Sequence, residues 1–143
     1  MSMLDREEYI EQLYFFQTLR ERIKASIATQ EVLEKIDQEI LSTTKLPMAI
    51  QFLATEIKDS GLLSTGFKLL GHYFTPFQAF IIKSTEDENR KFSIDTGLHV
   101  LEKMAKYLAD EKHEKINANK EVVLFIKQIV KEKAFQHIIH QKH

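Results

Sequence analysis

At 143 residues the chain is long enough for one domain with a real core, and its 43% hydrophobic and 29% charged residues are ordinary globular values that argue against disorder. Four glycines and two prolines are too few breakers for a turn-rich β fold, and the absence of cysteine removes disulfides, thiolate catalysis and thiolate zinc sites. A net charge of −1 argues against nucleic acid as the default partner.

The charge is unevenly spread. Residues 1–45 hold six Lys/Arg against nine Asp/Glu, whereas residues 102–143 hold nine Lys against six acids together with four of the six histidines. Such a dipole can steer association or head-to-tail contacts, although a solvated surface is its commoner role. Asp5, Glu7 and Glu8 interrupt the place where the apolar region of a signal peptide would begin, so a reducing cytoplasmic location is expected.

In chain order, Asp5 followed by Glu8 resembles a capping box, and Tyr9, Leu13, Phe16, Leu19 and Ile23 then fall on one helical stripe. Tyr14 and Phe15 lie off that stripe, so this helix is either sandwiched or carries an interface. Thr29 is the next expected cap, ahead of a stripe of Val32, Leu33, Ile36 and Ile40. Pro47 sits just inside a third helix that ends near Gly61, with Leu46, Ala49, Ile50, Leu53 and Ile57 on its main face and Met48 and Phe52 pointing elsewhere.

A short segment with Gly66 inside it follows, either held in a tight helix contact or only loosely helical. The uncharged run Leu69–Ile82 then carries Thr75-Pro76, a cap followed by a first-turn proline, which predicts a helix to about Asn89 burying Phe77, Phe80 and Ile81. At about 14 residues the run is too short to span a bilayer, and no membrane association is expected. Ser93 caps the next predicted helix, with Ile94, Leu98, Leu101, Ala105 and Leu108 in a regular stripe. After a charged run and a break at Asn117–Asn119, a last helix over about 119–140 is predicted to dock on the bundle or on another chain. The fold expected is all-α: a single domain over 1–143, a compact bundle of six or seven helices with short connections, the helices from Leu46 and Pro76 at its centre.

Chemical signatures are sparse. His137, His140 and His143 share one side of a helix at a spacing that could hold a metal, but with only Glu132 nearby they read as a basic tail, and no metal or cofactor is expected. A carboxylate-bridged two-metal bundle needs two Glu-x-x-His motifs, and Asp110-x-x-His113 is the only approximation. Neither a phosphate-binding glycine loop nor a nucleophile elbow occurs. Glu86, Asp87 and Glu88 fall in the predicted last turn of the Pro76 helix, where the dipole disfavours each by about 0.3–1 kcal/mol, and make a candidate acidic patch for a basic partner.

These features favour a non-enzymatic reading: a protein-interaction module, adaptor or self-assembling subunit with Tyr14, Phe15, Phe135, Ile138 and Ile139 as its candidate interface, together with Met48 and Phe52. The alternative is a small-ligand protein or enzyme with an inter-helix pocket near His72, Tyr73 and His99. Nucleic-acid binding through the lysine-rich C-terminal helix is the least favoured of the three.

Overall fold

The computed structural model describes residues 4–40, 42–89, 92–110 and 124–129. Within them lie α1 (Arg6–Lys24), α2 (Thr29–Ile36) running into a 3-10 turn (Asp37–Glu39), α3 (Leu46–Ser60), α4 (Leu63–Leu69), α5 (Pro76–Glu86) and α6 (Ile94–Asp110). Residues 124–129 are also helical, and no strand occurs among the described residues. The architecture is the all-α bundle with short connections that the breaker-poor sequence predicts.

The long helices α1 and α6 form the most extensive interface, and they run antiparallel. Arg6 Nε donates to the Ala109 carbonyl at one end (2.6 Å), and Arg20 donates to Glu102 further along (2.8 Å). Phe15, Phe16 and Leu19 of α1 and Leu98, Leu101 and Ala105 of α6 lie in one core with Leu33, Ile36, Ile50, Leu53, Phe67, Ile81 and Ile82. Each large side chain fully buried there contributes about 1.5–3 kcal/mol relative to exposure. Ile126 is buried in the same core, so this part of the predicted last helix docks on the bundle.

Helix α1 touches α2, α3 and α6. The helix from Leu46 (α3) touches α1, α2, α4 and the 3-10 turn, so α3 is as enclosed as α1, whereas the helix from Pro76 (α5) meets only α4 and α6 among the described elements. Helix α3 leaves Met48 and Phe52 exposed, and α5 leaves Phe80 exposed. The inner face of α5 is Gln78, Ile81, Ile82 and Thr85, with Phe77 partly buried against the core beside it and Phe80 exposed rather than buried as the sequence suggests.

Local signals explain most of the boundaries. Thr75 Oγ1 accepts from Gln78 N (3.1 Å) while Gln78 Oε1 accepts from Thr75 N (2.9 Å), a complete capping box with Pro76 in the first turn. The helix ends at Glu86, three residues short of the predicted end. Gly61 closes α3 with φ +78°, a conformation that strains any residue with a Cβ. Ser93 Oγ accepts from Thr96 N at the start of α6. Two expected caps do not form. Thr29 is the first helical residue of α2 behind Ala28 and makes no cap bond. Asp5 stands at the N-cap of α1 without a side-chain bond: Glu8 N donates to the Asp5 backbone carbonyl (3.0 Å), and the Glu8 carboxylate turns into the protein rather than back to the Asp5 amide.

Gly66 and Gly97 let helices meet closely. A Cβ on Gly66 would stand 2.7 Å from Leu53 Cδ2, which shows that a tight contact with α3 requires this glycine. A Cβ on Gly97 would stand 2.5 Å from Thr85 Cγ2 across the α5–α6 interface. Thr85 cannot swing aside freely, since its hydroxyl donates to the Ile82 carbonyl at 2.7 Å. Gly97→Ala is therefore expected to lower stability by about 1–3 kcal/mol through overpacking, despite a helix-propensity gain of up to about 1 kcal/mol. Urea denaturation of the purified variant measures the net effect, and a gain in stability would contradict the packing described.

Candidate functional site

Glu8, Gln12, Phe15 and Leu19 follow one another on α1 at intervals of four, three and four, so two polar side chains share the inward stripe of two core residues. The Glu8 carboxylate accepts from the backbone N–H of Lys45 through both oxygens (3.1 and 2.9 Å) and from the Tyr73 hydroxyl (2.9 Å). Gln12 Oε1 accepts from Gln78 Nε2 at 3.1 Å, which links the cluster to the capping box of α5. One carboxylate thus ties the start of α3 to the α4–α5 connection.

The Tyr73 phenol is held well above its ordinary value. Burial of the hydroxyl is the main cause; the Gln12 amide opposes it, and the adjacent Glu8 charge adds to it. Tyr73 therefore stays protonated as a donor and does not serve as a base at neutral pH. Hydrogen bonds to ionised groups contribute about 1.5–3 kcal/mol each, which suits Glu8 to fixing a surface rather than reacting at it.

That surface is an apolar groove enclosing about 290 Å³ directly above the cluster. One wall is α3, through Lys45, Met48, Ala49 and Phe52; the other is Leu70, His72 and Tyr73 of the α4–α5 connection, with Leu4 at the edge. Met48 is 77% exposed and Phe52 37% exposed, at positions four apart on one helix face. His72 and Tyr73, which the sequence suggests for a pocket, do share this groove, whereas His99 lies on α6 and is not part of its lining. The groove presents sulfur and ring surface with two basic groups at its rim and no carboxylate in its lining. Its chemistry is that of apolar contact.

The remaining candidates separate clearly. Tyr14 is exposed on α1, but Phe15 is fully buried in the core, so it leaves the set of interface residues. The reason is that α1 is enclosed on two sides, which turns an off-stripe aromatic into a second core contact. Phe135, Ile138 and Ile139 lie outside the described residues, as do His137, His140 and His143. In the acidic patch, the Glu86 carboxylate accepts from the N–H groups of Leu63 and Ser64 (2.7 and 2.9 Å) and so caps α4, which has no side-chain cap of its own. Helix α4's N-terminal dipole thereby offsets the unfavourable end of α5 that the sequence assigns to Glu86. Asp87 and Glu88 remain exposed.

Among the described residues no group of three or more His, Asp or Glu side chains is placed to hold a metal ion, and no helix is long and apolar enough to cross a membrane. No family model, curated protein or solved structure matches the chain.

Proposed function

We propose that this chain is a protein-interaction module of the cytoplasm, an adaptor or self-assembling subunit, with the Met48–Phe52 groove as its docking surface. The observation that carries this reading is the exposure of two large apolar side chains beside a groove whose walls are fixed from below by Glu8. Small-molecule sites commonly enclose about 300–1,000 Å³, and a groove at the lower edge of that range suits one or two side chains of another protein better than a free ligand. Pre-organised walls lower the ordering cost of association.

Met48→Glu with Phe52→Glu tests the reading. Both side chains are exposed, so the helical circular dichroism and thermal midpoint are expected to change little. Affinity capture from the native lysate, with wild type and variant as parallel baits, is expected to recover a stoichiometric protein on the wild type alone. Identical profiles on the two baits would contradict the groove as the docking surface. The lining by His72 and Tyr73 favours a second reading, an apolar small ligand. Extraction of the purified chain followed by mass spectrometry would reveal that ligand directly.

A further inference from the structure

We infer that the occupant of the groove is the exposed face of α1 on a second copy of this chain, an inference that rests on the groove being a docking surface. Glu7, Ile10, Tyr14, Gln17 and Glu21 succeed one another at alternating intervals of three and four, and all five are exposed. Ile10 and Tyr14 are 41% and 40% exposed, so this stripe is a second unpartnered apolar strip on the described surface. Its own two charged members are both negative; Lys24 follows beyond its end, and Arg22, within electrostatic reach of Tyr14, is already paired with Glu39.

The groove is the complement of that stripe. Its lining has no acid, and Lys45 and His72 are exposed at the rim with no ion-pair or hydrogen-bond partner for either side chain among the described residues. Glu8, whose hydrogen bonds reach the lining, is buried and already accepts from Lys45 N and Tyr73. Ile10 with Tyr14 and Met48 with Phe52 are both pairs spaced by four, the spacing at which ridges of one helix settle between those of another. The chain's own C-terminal apolar residues are a poorer match. Between residues 130 and 143 the sequence holds Lys131, Lys133 and Lys142 against the single acid Glu132, the same sign as Lys45 at the rim.

The contact joins two different surfaces, so each copy offers both a stripe and a groove, and assembly continues until symmetry closes it. One helix face in one groove is a small interface, below the standard size of about 1,600 Å². The association is therefore weak, rapidly exchanging, and reduced by salt.

Sedimentation equilibrium of the full chain over a concentration series into the millimolar range tests this, using two variants with opposite defects. Met48→Glu spoils the groove and keeps the stripe; Ile10→Lys with Tyr14→Lys spoils the stripe and keeps the groove. The expected result is wild-type mass rising with concentration, each variant remaining monomeric, and an equimolar mixture of the two forming dimers that grow no further. Dimers in the mixture also show that both variants are folded. A wild-type chain that stays monomeric overturns the inference, and if Met48→Glu still loses a captured lysate protein, the docking surface stands with a foreign occupant. Wild-type assembly abolished by Met48→Glu but untouched by the stripe variant overturns it too, because another part of the second copy would then fill the groove. Assembly unaffected by either variant removes both the inference and the self-assembly reading of the groove.

Discussion

Glu8→Ala is expected to lower the unfolding free energy by about 3–5 kcal/mol, the largest effect of any polar truncation among the described residues. A buried donor, the Tyr73 hydroxyl, and a partly buried one, the Lys45 amide, lose their acceptor at once. Each unsatisfied donor costs about 1–3 kcal/mol, and the cavity adds to the sum. The cost comes from stranding partners rather than from any large net gain in burying a carboxylate, which is itself expensive to desolvate. Glu8→Leu combined with Tyr73→Phe should therefore be markedly less destabilised than the sum of the two single changes. A double-mutant cycle by urea denaturation checks this, and strict additivity would contradict the pairing.

The same cluster has an alkaline signature. Tyr73's folded value is raised above the ordinary phenol value near 10. Above that pH the unfolded chain gives up a proton that the folded chain keeps, so stability from this group is fully present below about pH 10 and declines as the pH rises further. Tyr73→Phe should flatten that decline relative to wild type. A decline of equal slope in both proteins would place the titration elsewhere.

Arg20→Ala is expected to cost about 2–4 kcal/mol. Arg20 donates from Nε and Nη2 to one oxygen of Glu102 (3.1 and 2.8 Å), and its Nη1 lies 3.9 Å from Asp95 Oδ1, a buried oxygen without a hydrogen-bond partner. The Glu102 side chain retains only 11% of its exposure and Arg20 21%, which places the pair between a screened surface bridge and a dry one. Truncating the guanidinium leaves a nearly buried carboxylate on the main α1–α6 interface with no counter-charge. Glu102→Gln should cost less than Arg20→Ala, since an amide needs no counter-charge. Calorimetric midpoints of the two variants decide the order, and equal or reversed losses would show that Glu102 is adequately solvated without Arg20.

The parts of the fold that were legible in the sequence are those set by local chemistry. Thr75-Pro76, Gly61 and Ser93 mark helix boundaries because capping and left-handed backbone depend on a few adjacent residues. Stripes such as Val32, Leu33 and Ile36 show which face turns inward when a helix buries one side only. What escaped was partner assignment. The Asp5/Glu8 spacing satisfies the capping-box pattern equally well whether Glu8 turns back to its own amide or inward to Lys45 and Tyr73, and only tertiary packing decides. The signal available was Glu8 and Gln12 in register with Phe15 and Leu19, a polar continuation of an apolar stripe.

The candidate site was half legible for a related reason. Met48 and Phe52 stand off the main α3 face in the sequence, and they are exposed. Tyr14 and Phe15 look alike by the same test, yet one is exposed and the other is core, because the neighbours of α1 cover the side that carries Phe15 and leave the side that carries Tyr14 open. Glu86 shows the limit most clearly. Its acceptor role depends on α4, more than twenty residues earlier in the chain, whose first-turn amides no periodicity in the sequence could place beside it.

The most direct test of the docking surface is the ε-methyl NMR signal of Met48 in ¹³C-methionine-labelled protein, assigned by its loss in Met48→Leu. With four methionines in the chain, the spectrum is simple enough to follow one site. On titration with native lysate, and separately on raising the protein's own concentration, the Met48 signal should shift or broaden under at least one condition while that of Met104, partly buried against the core, stays in place. A Met48 methyl unmoved under both, in a lysate from which the chain captures a partner, would contradict the groove as the surface through which this protein acts.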